Sequence, residues 1–170
     1  MAETEYAMPR AQFDKPVRIL IVVAPFYRDI ADMLIAGAQA EVKATGATDE
    51  VVEVPGALEL PIAIGMAARM RDFDGFVALG CVIRGETTHY ETVCNDSSRA
   101  LSLLGLQGIC IGNGILTVEN REQAIARADP AQMNKGAGAA AAALHLVSLA
   151  RDWGQTRKGV GFVPTVTPSV

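Results

Sequence analysis

The sequence predicts an α/β protein built on a four-stranded parallel sheet with helices on both faces. Three observations predict it. Short apolar, β-branched runs alternate with longer stretches of helical spacing, in the order β-α-β-α-β-α-β-α-α. Glycine- or proline-bearing turns follow the strands, as at the carboxyl ends of buried parallel strands. The chain is 50% hydrophobic but only 5% aromatic, so the core must be built from Val, Ile, Leu and Ala. At 170 residues it makes one domain, and right-handed crossovers limit the topologies open to it.

Each element follows in order. Residues 1–16 are polar, carry Pro9 and Pro16, and are expected as a flexible arm. Val17 to Ala24 is a β-branched run ended by Pro25, a buried strand. Asp29 to Thr45 places Ile30, Met33, Leu34, Ala38 and Val42 at helical spacing, with Gly46 as terminator. Val51 to Val54 is a short strand before Pro55-Gly56. Leu58 to Met70 is helical, with Pro61 in the first turn. Phe76 to Val82 is the third strand and Tyr90 to Leu106 the third helix. Gly108 to Gly112 is expected as the fourth strand, followed by a glycine-bearing turn, Gly112 to Thr117. Glu119 to Ala128 is a short helix with Thr117 as a candidate N-cap. Asn134 and Lys135, a cap and a surface charge, then open an alanine-rich helix reaching about Trp153. The single domain spans 17–154, and 155–170, with Pro164 and Pro168, is expected as a disordered tail.

Composition excludes several classes. A net charge of −4 argues against a nucleic-acid binder. No apolar run is long enough to span a membrane, and the acidic N-terminus is wrong for a signal peptide, so a cytoplasmic protein is expected. Cys81, Cys94 and Cys110 match no zinc spacing and read as buried reduced thiols. Nucleotide-binding glycine motifs and glycosidase-type carboxylate pairs are absent.

The chemistry concentrates in Gly80-Cys-Val-Ile-Arg-Gly-Glu-Thr-Thr-His-Tyr90. A strand opens there into a polar turn that leads into a helix, and a glycine-preceded helix N-terminus suits phosphate. His89 adds the one side chain type whose ordinary ionisation falls near neutral pH. Four segments are expected to converge on this edge: Ala24 to Tyr27, Val54 to Glu59, Arg84 to His89, and Gly112 to Thr117. Phe26 can stack on a planar ring, although an aromatic there is more often core. Glu59 suits a helix first turn without any ligand. Arg127 suits a helix end for the same reason, and Arg84 reads as solvated or paired. His145, within the alanine-rich helix, reads as structural. The set suits acid–base work on reactants that mainly need positioning.

These residues closely resemble the lumazine synthase family. The resemblance rests on Val54-Pro-Gly-Ala-Leu-Glu-Leu-Pro61, on Gly80 to Tyr90, on Gly114-Ile-Leu-Thr117 with Glu122-Gln-Ala124, and on Asn134-Lys-Gly136. It implies a flavodoxin-like three-layer α/β/α fold whose sheet an N-terminal strand from a neighbouring subunit can extend. It also implies riboflavin synthesis: 5-amino-6-(D-ribitylamino)uracil condenses with 3,4-dihydroxy-2-butanone 4-phosphate through an imine, phosphate leaves, and the ring closes with loss of water. Neither metal nor organic cofactor is implied, and the assembly is a homo-oligomer, at least a pentamer.

Residue by residue, the resemblance has Phe26 stacking on the pyrimidinedione, and Ala57, Leu58 and Glu59 holding the ribityl chain. Cys81, Val82 and Ile83 would meet the uracil edge through backbone groups. Gly85, Glu86 and Thr87 would cradle phosphate, and His89 would move protons. Arg127 would reach the phosphate from a neighbouring subunit, and Asn113 would lie against the uracil ring across the same boundary. The chain departs from the family pattern at Asn113, where an aromatic residue is common, at Ala131, where lysine is common, and at Glu86, where a small residue is common. Asn113 motivates the alternative of a low-activity paralogue that binds flavins or lumazines. A flavodoxin-like carrier is a more distant alternative.

Overall fold

The computed structural model describes residues 8–157. Their order is β1 (Arg18–Val23), α1 (Arg28–Ala44), β2 (Thr48–Glu53), α2 (Glu59–Met70), β3 (Gly75–Ile83), α3 (His89–Leu106), β4 (Ile111–Val118), α4 (Arg121–Ala128) and α5 (Lys135–Arg157). The strands form one parallel sheet in the order β2-β1-β3-β4. The strand order reverses at β1, because β2 lies on one side of it and β3 on the other. In open sheets of this kind the crevice forms at that point, beyond the strands' carboxyl ends.

The layers follow from strand alternation. Ile19, Ile21 and Val23 of β1, with Val77 and Leu79 of β3, face α1, α4 and α5. Leu20, Val22, Phe76 and Ala78 face α2 and α3. The outer strand β2 reads Thr-Asp-Glu-Val-Val-Glu and is largely exposed. Its carboxylates are paired: Asp49 accepts from Gln39, Glu50 from Arg18 and Arg71, and Glu53 from Arg28.

Helix ends follow their local chemistry. Gly46 (φ 77°) and Gly108 (φ 89°) take left-handed conformations after α1 and α3, returning their N–H groups to Lys43 and Gly105 carbonyls. Asn134 (φ 48°) precedes α5, and its side chain accepts from Ala137 N.

Four expectations need correction. Gly108 closes α3 instead of opening β4, and β4 runs from Ile111 to Val118, so Gly112 to Thr117 is strand and not the turn beyond it. Its glycines serve close approach: a Cβ on Gly112 would lie 1.8 Å from the Ala139 carbonyl oxygen of α5. The N-cap of α4 is Asn120, which accepts from Gln123 N at 2.9 Å; Thr117 lies within β4. The described part of the arm, 8–16, is tied down. Arg10 pairs with Glu41, Phe13 packs on the core, and Arg151 donates to the Lys15 and Pro16 carbonyls. At the other end, 155–157 complete α5, while the expectations for 1–7 and 158–170 lie outside the described residues.

Candidate active site

A cleft of about 420 Å³ opens at the strand-order reversal. It is lined by Ala24, Phe26 and Tyr27 after β1, by Pro55 to Glu59 after β2, by Cys81, Val82 and Ile83 of β3, and by His89 and Val93 of α3. Of the expected residues, the fold therefore brings together Phe26, Ala57, Leu58, Glu59, Cys81, Val82, Ile83 and His89.

Each wall has a local cause. Pro25 ends β1, and Phe26 is left 74% exposed on the rim, edge-on to Tyr27 with ring centres 5.0 Å apart. Beside the cleft, Phe26 offers a stacking face that is exposed among the described residues. The Pro55-Gly56 turn starts α2, with Glu59 N donating to the Gly56 carbonyl. The Glu59 carboxylate folds over Gly56, where a Cβ would come within 3.0 Å of Oε2. β3 outruns β1. Their pairing ends at Val23 opposite Leu79, while β3 continues to Ile83, bonded to β4 on its other side. The last stretch of β3 thus has one edge without a strand partner, so backbone donors and acceptors are available to a planar polar ligand.

Cys81 is a packing residue in this wall. Burial pushes its thiol up to about 11, with smaller effects from Arg121, which lowers it, and Asp29, which raises it. Between the ordinary value of 9.0 and about 11, thiolate content at neutral pH drops roughly a hundredfold, so nucleophilic chemistry at Cys81 is suppressed. Cys81→Ala is accordingly expected to keep kcat within about threefold, and alkylation of Cys81 at pH 8 to run roughly a hundredfold slower than for an ordinary thiol. Steady-state assay and mass spectrometry of alkylated peptides check the two.

Beyond β3, Arg84 to Thr88 form the exposed loop into α3. The backbone N–H of His89 donates to Thr87 Oγ1 at 3.4 Å, and Arg84 N donates to the Val118 carbonyl. Gly85, Glu86 and Thr87 sit in this loop at the head of α3, beside the cleft rather than in its wall. Arg84 is paired, its guanidinium held by Glu91 and Glu119.

Asn113 and Arg127 lie elsewhere. They line a second cleft of about 460 Å³ with Gly114 to Thr117, Lys135, Gly138, Ala139 and Ala142. Asn113 projects from mid-β4, and its Oδ1 accepts from Ile115 N at 3.0 Å. Arg127 donates to the Gln123 carbonyl one turn back. The expected convergence of four segments is thus corrected to three, with β4 serving the second cleft. Lys135, read from the sequence as a surface charge, belongs to that second cleft too, and its position after the Asn134 turn was the available clue.

A four-stranded parallel sheet with helices on both faces and a cleft at its strand-order reversal is the α/β architecture of a small-molecule site. Residues 16–151 match the family profile of 6,7-dimethyl-8-ribityllumazine synthase. The chain is 57% identical over 155 residues to the 6,7-dimethyl-8-ribityllumazine synthase of Jannaschia sp. (strain CCS1), covering 91% of this chain and 87% of that protein. It is 58% identical over 132 residues to the protein of that name from Erythrobacter litoralis, covering 78% and 94%. It is 54% identical to 6,7-dimethyl-8-ribityllumazine synthase 1 of Rhizobium meliloti, covering 79% and 92%. The chain belongs to the 6,7-dimethyl-8-ribityllumazine synthase family.

Proposed function

We propose that this chain is the transferase that condenses 5-amino-6-(D-ribitylamino)uracil with 3,4-dihydroxy-2-butanone 4-phosphate, giving 6,7-dimethyl-8-ribityllumazine and releasing phosphate and water. The observation that carries this reading is one cleft holding Phe26, Glu59, the open edge of β3 and His89. Phe26 stacks on the pyrimidinedione. Cys81, Val82 and Ile83 present backbone groups to the uracil edge. Ala57, Leu58 and Glu59 hold the ribityl chain. Gly85, Glu86 and Thr87 receive the phosphate at the positive end of α3. His89, the first residue of α3, exchanges protons as the imine forms and phosphate departs.

The site is completed by a second copy of the chain. Arg127 and Asn113 line a cleft of their own, and in a ring of subunits that cleft faces the first cleft of a neighbour. Arg127 then adds a bidentate cation to the phosphate, and Asn113 lies against the uracil ring. An exposed apolar row on α2 and α3, comprising Ile62, Met66, Met70, Leu103 and Leu106, supports assembly. The proposed state is at least a pentamer, acting in the cytoplasm, with the outer edge of β2 open to a neighbour's N-terminal strand. Among the described residues no helix is long and apolar enough to cross a membrane.

The paralogue reading rests on Asn113 alone, against relatives named as synthases over nearly their full length. A steady-state assay following lumazine absorbance tests the proposal. Turnover that requires both substrates supports it. A well-assembled protein that binds riboflavin tightly without turnover supports the paralogue. Arg127→Ala is expected to raise KM for the butanone phosphate by about 10- to 100-fold, the worth of a charge-assisted hydrogen-bonded contact. An unchanged KM removes Arg127 from the site.

A further inference from the structure

We propose that Arg84 is a positioning residue for the phosphate-bearing substrate, acting by masking two carboxylates beside the loop from β3 to α3. This rests on the reading of Gly85 to Thr87 as the phosphate cradle. The sequence reads Arg84 as solvated or paired, and the structure shows it paired. Nε donates to Glu119 at 2.7 Å, and Nη1 donates to Glu91. The guanidinium lies over the Tyr90 ring, 4.1 Å from its centre. Its backbone N–H donates to the Val118 carbonyl at 2.9 Å. One side chain therefore joins the end of β3, the first turn of α3 and the segment leaving β4.

The pairs are open to solvent, with side chains 39% exposed for Arg84, 47% for Glu91 and 57% for Glu119. Exposed pairs add little to global stability, so the consequence of the clamp is local. It is also electrostatic. The loop carries Glu86, and with Glu91 and Glu119 that makes three carboxylates around a proposed anion site. Arg84 is the one arginine or lysine of the stretch 80–91. Its hydrogen bond lowers the Glu91 carboxyl from its ordinary value. Without the guanidinium, Glu91 and Glu119 would repel an incoming phosphate.

Kinetics of the assembled protein test this with Arg84→Gln, Arg84→Lys and the triple variant Arg84→Gln, Glu91→Gln, Glu119→Gln. Arg84→Gln is expected to raise KM for the butanone phosphate about tenfold at low salt, an effect that shrinks at high salt. KM for the ribitylaminouracil stays unchanged, and kcat stays within about threefold, since proton transfer is untouched. Arg84→Lys keeps the charge and most of the affinity. The triple variant, with no carboxylates left to mask, returns KM toward the parent value. An unchanged KM in Arg84→Gln overturns the proposal. So does a triple variant as impaired as the single one, because the guanidinium would then contact phosphate itself. Inorganic phosphate separates this from the cradle reading. If it fails to compete with the butanone phosphate in the parent protein, the cradle reading falls. If it competes equally well in the parent and in Arg84→Gln, only the role of Arg84 falls.

Discussion

Gly112→Ala is expected to cost about 3 kcal/mol of stability, the upper end of what forced overpacking costs. Gly112 sits in β4 where α5 crosses it, and an added Cβ would lie 1.8 Å from the Ala139 carbonyl oxygen and 2.7 Å from its carbon. Both obstacles are backbone, so no rotamer change relieves them. Strand and helix must separate, and the layer that buries Ala139, Ala140, Ala143 and Leu144 opens. Urea unfolding checks this through the midpoint. The second cleft, which β4 and α5 share, should be distorted with it, and KM for the phosphate substrate should rise. Gly154→Ala is the contrast: nothing lies within 4 Å of its added Cβ in α5, and removing a helical glycine gains up to about 1 kcal/mol. Equal midpoints for the two variants would refute the close-approach argument.

His89→Ala is expected to lower kcat by about 10- to 100-fold without abolishing turnover. Positioned acid–base groups contribute typically 10²–10⁴; an amine condensing with a ketone is reactive by itself, and the cleft keeps its power to position both reactants. The fold should not notice the change. His89 is exposed at the start of α3, its backbone N–H rather than its ring meets Thr87, and no hydrogen bond or ion pair of its imidazole occurs among the described residues. Unfolding midpoint and assembly state should match the parent. Complete loss of turnover from an intact assembly would make His89 indispensable, and full retention would remove it from the chemistry.

Most of the architecture was legible because period and punctuation agree with packing. The β-branched run at 17–24 and the apolar run at 76–82 read as buried strands, and Gly46 and Pro61 sit where helix ends need them. The cleft was legible for the same reason. Its lining comes from short segments directly after β1 and β2 and from the end of β3, and chain order alone sends those to one edge of a parallel sheet.

What chain order could not supply is distance between separate elements. Gly112 and Gly114 carry the same letters as a turn, but pairing with β3 makes them strand residues, and Ala139 crowds the first while Leu79 crowds the second, leaving no room for a side chain. With Gly112 to Thr117 inside β4, Asn113 lines the second cleft. The polar 8–16 stretch reads as loose because its partners, Glu41 and Arg151, are far along the chain. Arg84 is equivocal in one dimension and committed in three, because Glu119 reaches it from beyond β4. The sequence by itself determined the α/β class, the strands and helices governed by period, and the edge where the chemistry gathers, since these follow from local pattern and direction. Tertiary structure alone decided which glycines are contacts and which charges are spent on each other. Both depend on atoms that meet only after the sheet and helices have packed.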